Sequence, residues 1–288
     1  MKKILIIGIK GMAGHVIFDY FNSLADYDVF GIARNIKSNQ YLYNLDVTNL
    51  DALNSVVVEN KFDVIINCIG ILNKDAEDNP EKAIWFNSYF PHYLEQITKK
   101  TNTKLIHIST DCVFSGKKGN YTEEENKDGE GFYAQSKALG EVVNEKDTTI
   151  RTSIIGPELN TNGIGLFHWF MSQPTEASLN GYSKAFWTGL TTLELAKVIH
   201  AILNQKIRGL IQVVPKDKIN KFELLRLFNS IYRNNSLSIL KDEKYAVDKS
   251  LISIRNDFDY KVPTYEQMLV EQKKRISDYS HLYNHYSL

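Results

Sequence analysis

Tyr133 and Lys137 stand four residues apart in the run Tyr-Ala-Gln-Ser-Lys, a spacing that puts a phenol and an ammonium on one helix face, one turn apart. A neighbouring positive charge, joined by an oxidised nicotinamide, lowers a tyrosine pKa from its reference of about 10. Such a phenol can exchange a proton with a carbonyl oxygen. Ser109-Thr110-Asp111 closes the β-branched run before it, and the Thr110 hydroxyl is suited to align the same oxygen while a hydride arrives. Tyr-x-x-x-Lys is common on amphipathic helices, so the pattern needs a partner motif.

That motif is Gly8-Ile-Lys-Gly11-Met12-Ala13-Gly14, directly after an apolar strand and opening a helix. Glycines there allow a tight turn and close approach to a pyrophosphate, and the helix N-terminus favours the anion. The second strand ends Gly31-Ile-Ala-Arg34, where an NAD site usually presents a carboxylate to the ribose. Arg34 instead offers a guanidinium to a ribose phosphate or to the adenine face, so NADPH is the expected cofactor and NADH the alternative. Asp46, before Val47 and Thr48, is a candidate acceptor for the adenine amine or a cap for the next helix. Asn67-Cys68-Ile69-Gly70 ends the fourth strand, with small groups to pass beneath a nicotinamide ribose; Cys68 reads as a packing thiol.

These residues need a frame that brings strand ends together. Short β-branched runs at Lys3–Ile7, Tyr27–Ile32, Val64–Cys68, Lys104–Ile108 and Thr149–Arg151 alternate with helical patterns at Ala13–Ser23, Leu50–Asn60, Pro80–Lys100 and Tyr133–Val143. Asn79-Pro80 predicts a capped start for the third helix. The expected class is α/β, a Rossmann-type doubly wound parallel sheet with a smaller C-terminal α/β substrate-binding region. Residues 1–155, completed by 189–214, form the NADP(H)-binding part; 156–188 and 215–288 form the substrate region. Past Arg151, glycines at 156, 163 and 165 break the rhythm and aromatic residues cluster from Leu166 to Phe170. Helices are expected at Thr192–Leu203 and Lys221–Tyr232, a strand at Leu210–Val214, and a polar surface loop at Lys117–Glu130.

The 288 residues exceed the usual single-domain size of about 100–200, and 34 basic residues balance 34 acidic ones. That balance points away from nucleic acid and from an acidic membrane surface. The only cysteines, Cys68 and Cys112, sit in apolar stretches, as expected of reduced thiols in the cytoplasm; no metal cluster is visible. The apolar run at the amino terminus is short and interrupted by glycine, unlike a leader. No segment approaches the roughly 18 apolar residues of a membrane span.

As a set, Gly8-x-x-Gly11-x-x-Gly14, Asn67-Cys-Ile-Gly70, Asn87 within Trp-Phe-Asn-Ser, Ser109-Thr-Asp-Cys-Val-Phe-Ser-Gly116, Tyr121-Thr-Glu123, Tyr133-x-x-x-Lys137-Ala-Leu-Gly-Glu141 and Arg151-Thr-Ser resemble the extended short-chain dehydrogenase/reductases. Within them they resemble the dTDP-4-dehydrorhamnose reductase family of deoxysugar and surface-polysaccharide biosynthesis. The resemblance implies Thr110, Tyr133 and Lys137 as the catalytic trio, Asp111 and Cys112 beside the substrate, and Asn87 as a supporting polar residue. It also implies reduction of a 4-keto group on a nucleotide-linked 6-deoxysugar, with NADPH bound by Gly8, Gly11, Met12, Ala13, Arg34, Asp46, Val47, Cys68, Ile69, Gly70, Asn87, Tyr133 and Lys137. Downstream, Gly189-Leu-Thr191 resembles the family's Gly-x-Pro-Thr element without its proline, and Trp187 just before it is expected at the sugar. Lys249-Ser-Leu251 loosely resembles a later substrate segment.

Those departures keep a UDP-linked 2-acetamido-2,6-dideoxy-4-hexulose as a rival substrate. A dehydratase is disfavoured, because Cys112 stands where that chemistry places a carboxyl. A resemblance to GDP-fucose synthase at Cys112 raises an epimerase-reductase, with His168 as the partner base. A further alternative is a catalytically silent NADP-binding subunit resembling the methionine adenosyltransferase beta subunit. The aromatic density around 167–170 suits core or a homodimer face.

Overall fold

In the computed structural model, which describes residues 1–286, β1 (Lys2–Ile7) runs into the glycine turn and α1 (Gly14–Asn22). Residues 287 and 288 of the expected substrate region lie outside the described residues. Next come β2 (Tyr27–Ala33), β3 (Leu42–Asn44), α2 (Leu50–Asn60), β4 (Val64–Asn67) and α3 (Asn73–Asp78). A long helical stretch follows as α4 (Pro80–Ala83), a π-helical segment (Ile84–Tyr89) and α5 (Phe90–Thr98). Then β5 (Lys104–Ser109), α6 (Gly131–Leu139), β6 (Thr148–Arg151) and β7 (Ser153–Ile155) complete the first half.

The second half holds α7 (Leu166–Met171), β8 (Ser178–Trp187), β9 (Gly189–Thr191), α8 (Thr192–Gln205), β10 (Gly209–Gln212), β11 (Ile219–Asn220), α9 (Lys221–Arg233), β12 (Ser238–Asp248) and α10 (Tyr265–Asp278). Seven strands pair in parallel in the order β10-β6-β5-β4-β1-β2-β3. The order reverses between β1 and β4, which opens a crevice at their carboxyl ends, the usual ligand edge of such sheets. A second sheet, β11-β8-β12, and the pair β7-β9 stand apart from it.

Continuous apolar runs explain most of this. Ile4, Leu5, Ile6 and Ile7 are all fully buried, as in a strand covered on both faces, and they feed two separate cores above and below the sheet. Several expectations need correction. Asn79 does not cap the helix at Pro80, because its amide turns back to Asp75. The helix holding Tyr133 ends at Leu139, where the Gly140 amide closes the last turn on the Ser136 and Lys137 carbonyls, and Gly140 lies so near the Asn87 carbonyl that a Cβ would strike it. β8 was not anticipated although it alternates buried and exposed residues; β12 is a mostly exposed edge strand rich in lysine and acid, which carries no such signal.

Candidate active site

The glycine turn is built by backbone. Gly8 has a φ of +94°, a left-handed value that a side chain resists. A Cβ on Gly14 would overlap the Gly8 carbonyl oxygen, so α1 packs closer to the turn than any other residue allows. Ala13 gives α1 no side-chain cap, and its first turn holds no acidic residue. Those free ends and the helix dipole suit an anion. Gly8 also lies against Cys68 and Ile69, so the β1 and β4 turns meet as expected. These features fit a dinucleotide pyrophosphate.

At the far end of the crevice, Arg34 and Asp46 face each other at 3.4 Å, both exposed. The Asp46 carboxylate also accepts from the Thr48 amide (3.0 Å) and hydroxyl (2.8 Å); these bonds, the Thr48 amide first, hold its pKa below the ordinary carboxyl range despite some burial. Asp46 therefore closes a local turn and does not cap α2, a task done by Asn49 through Ala52 (3.1 Å). Val47 is packed in the core below. Cys68 is a packing thiol, with burial pushing its pKa up to about 12.

Tyr133 and Lys137 lie one turn apart on α6. The Lys137 ammonium donates to the Ile108 carbonyl at 2.6 Å and lies 3.4 Å from Nε2 of His107. Burial pulls its pKa down to about 8, against the attraction of Glu141. The phenol behaves otherwise than the sequence predicts. Burial, then the neighbouring Cys112 and Asp111, push its pKa up, with nearby Thr110 pulling the other way. Burial outweighs every other influence on the phenol, while the Lys137 ammonium serves a backbone carbonyl on β5.

Thr110 sits at the hub of the site. Its Oγ1 donates to Asp111 Oδ1 at 3.1 Å and accepts from the Cys112 amide at 3.2 Å. Burial raises the Asp111 pKa, opposed by Lys249 and Lys221. The same burial takes Cys112 to about 11, so its thiol keeps its proton. His168 is held elsewhere: Nδ1 meets the Tyr286 hydroxyl at 2.8 Å, and its ring packs on His285 and Tyr286. Cys112 and His168 share no partner among the described residues. Trp187, expected at the sugar, is a core residue against Tyr265, with the Lys221 ammonium 4.8 Å from its ring centre.

Asn87 is a positioning residue. Both amide hydrogens are used, on the Ile71 carbonyl (2.9 Å) and Ser136 (3.0 Å), and its oxygen accepts from the Ile71 amide (2.8 Å). It joins the turn after β4 to α6 from within the π-helical segment, a feature often found at functional sites.

Four supports were not assigned from sequence. Glu77 accepts from the Phe132 and Tyr133 amides, both at 3.0 Å, and so caps α6 from another helix. Glu141 receives Arg151 twice at 2.8 Å and Ser109 at 2.7 Å, wholly inside the protein. Burial pushes the Glu141 pKa up, and Arg151, Lys127 and Ser109 together hold it below its ordinary value. Buried His107, kept neutral by desolvation, lies under Lys137 beside Asn67. Lys221 adds a desolvated cation near Asp111. Family spacing quotes Glu141 and Arg151; nothing local marks Glu77 or Lys221.

A parallel doubly wound sheet with a glycine turn at its switch point and a Tyr-x-x-x-Lys helix beside it defines the extended short-chain dehydrogenase/reductase class. The model of the RmlD substrate binding domain family matches residues 1–232, and the chain belongs to that family. A dTDP-4-dehydrorhamnose reductase from Aggregatibacter actinomycetemcomitans is 30% identical over 168 residues, 56% of this chain and 54% of the relative. The chain thus spans about half the length of that relative. Methionine adenosyltransferase 2 subunit beta from Danio rerio is 23% identical over 238 residues, covering 77% and 72% of the two chains. Among solved structures, the dTDP-4-dehydrorhamnose reductase of Bacillus anthracis in complex with NADP superposes with a TM-score of 0.80 at 21% identity, covering 96% of this chain and 99% of that one. No helix among the described residues is long and apolar enough to cross a membrane.

Proposed function

We propose that this protein is an NADPH-dependent reductase of the 4-keto group of a nucleotide-linked 6-deoxy-hexulose. The observation that carries the reading is the pairing of Tyr133 and Lys137 one turn apart on α6, with the Lys137 ammonium anchored on the Ile108 carbonyl of β5, the strand whose end leads into Thr110. When bound, the dinucleotide supplies the hydride. Thr110 turns its hydroxyl from Asp111 to the substrate oxygen and fixes it. Tyr133, whose raised pKa keeps the phenol protonated, gives that oxygen a proton as it gains charge. Lys137 contributes a fixed positive charge behind the phenol, which favours the phenolate left after transfer.

Gly8, Gly11, Met12 and Ala13 with the start of α1 would hold the pyrophosphate, Ile69 and Gly70 the nicotinamide side, and Arg34 a ribose phosphate. For the last task Arg34 must leave Asp46, a small cost for an exposed pair. Residues 156–188 and 215–286 would shape the substrate side, with Lys221 and Lys249 near Asp111 suited to an anionic substrate. The epimerase variant receives no geometric support, because His168 bonds to Tyr286.

The test is to incubate the protein with NADPH and a panel of dTDP-, UDP- and GDP-linked 4-keto-6-deoxysugars, following oxidation of NADPH and product stereochemistry. Turnover of one of them, abolished in Tyr133→Phe, is the expected result. The likeness to the methionine adenosyltransferase subunit favours a second reading, a binding subunit. Tight NADPH binding with no oxidation on any sugar would select it.

A further inference from the structure

Tyr283 lies 268 residues from His15, beyond the region that the family model matches. Its hydroxyl is nevertheless 2.7 Å from His15 Nε2, while Nδ1 of the same ring is 2.8 Å from the Gly11 carbonyl oxygen. A carbonyl only accepts, so Nδ1 carries the hydrogen. Burial holds the ring pKa down at about 4, so the imidazole is neutral near pH 7 and Nε2 accepts from Tyr283. The chain has one direction: tail hydroxyl, imidazole, glycine-turn carbonyl.

The peptide between Gly11 and Met12 is planar and trans, so its C=O and N–H point opposite ways. The Gly11 oxygen accepts from both the His15 backbone amide (3.2 Å) and its Nδ1 (2.8 Å), so the Met12 amide is aimed away from His15. A second fastening reaches the same turn. The Tyr286 hydroxyl accepts from the Glu158 amide at 3.0 Å, and Glu158 Oε1 accepts from the Gly165 amide at 2.7 Å. Gly165 in turn stands against the Met12 sulfur. The base of α1 is tied down too, by Arg275 to Asp19 at 2.7 Å.

We propose that Tyr283, acting through His15, is a positioning residue that presets the Gly11–Met12 peptide for dinucleotide binding. A glycine turn loses more freedom on ordering than any other segment, and affinity is lost when that ordering happens on binding. The tail holds the turn in advance. This rests on the dinucleotide reading given above.

The experiment is titration of NADPH by calorimetry into the full chain and its Tyr283→Phe, His15→Asn and His15→Leu forms, with melting temperatures and kinetics alongside. Removal of one hydroxyl in Tyr283→Phe is expected to weaken NADPH about three- to tenfold. The NADPH KM rises by the same factor, kcat at saturating NADPH holds, and the melting temperature barely moves. His15→Asn keeps a donor for Gly11 but cannot reach Tyr283, so it should match Tyr283→Phe; His15→Leu should be weaker still. Adding Tyr283→Phe to His15→Leu should cost nothing more. NADPH affinity unchanged in Tyr283→Phe, or lowered independently in the double variant, overturns the proposal. Unmodified protein that binds no NADPH overturns the dinucleotide reading beneath it instead.

Discussion

The glycine turn and the tyrosine–lysine helix meet at one sheet edge but are made in different ways. The turn is seven consecutive residues whose backbone does the work, and a missing Cβ at Gly14 fixes its shape. The helix brings two side chains into place only because remote groups hold it: Glu77 caps it, Asn87 joins it to the β4 turn, and the buried Glu141–Arg151 pair fixes the strand end that carries Ser109. A site made of backbone depends on few side chains around it, here His15 and Tyr283. A site made of side chains depends on every group that aims them.

The largest effect that sharpens this contrast comes from Tyr133→Phe, which leaves both frames intact and removes one proton donor. Its kcat should fall about 100-fold or more with NADPH affinity within twofold; an equal loss of affinity would mean that the phenol belongs to the cofactor frame. Next, Arg151→Met strands the Glu141 carboxylate in the interior. Breaking such a pair costs about 3–5 kcal/mol, measurable by urea denaturation, and whatever folds should lose turnover more than NADPH affinity. If stability is unchanged, the pair is not what holds the catalytic strand end.

Gly14→Ala attacks the other frame. The added methyl forces the turn and α1 apart, so NADPH binding should fall by about tenfold or more while the melting temperature drops by only a few degrees, a cost of roughly 1–2 kcal/mol. Lost stability with intact affinity would show that the turn can relax.

The smallest effect is in pH. Lys137 has its pKa drawn from 10.5 to about 8 in the folded protein, so its ammonium is present at pH 7 and is lost as pH rises past 8. The kcat profile should bend downward there, and Lys137→Arg should move the bend to higher pH. Stability moves the other way: the folded state gives up this proton first, so folding is favoured as pH rises from about 8 to 10.5. A flat kcat profile from pH 7 to 9 would remove the charge from the mechanism.

Much of this was legible in the residues. Short apolar, β-branched runs mark six of the seven strands of the main sheet at close to their observed bounds, and motif spacing marks Thr110, Tyr133 and Lys137. Where reading fell short, the cause was tertiary. Trp187 precedes a substrate-like element yet packs into the core, because β8 turns it toward Tyr265. Asp46 had two expected partners and met Arg34 and Thr48. The Tyr133 phenol goes up and not down, since the fold buries it beside Cys112 and Asp111.

By itself, then, the sequence determined the parallel α/β frame, the glycine turn and the phenol–ammonium pair, because each is written in spacings of a few residues that backbone geometry turns directly into position. Only the tertiary structure decided which charges are buried, which hydrogen bonds are already taken and how the tail reaches Gly11. Those depend on residues up to 268 positions apart, and a side chain's pKa and free valences are set by whatever the fold packs against it.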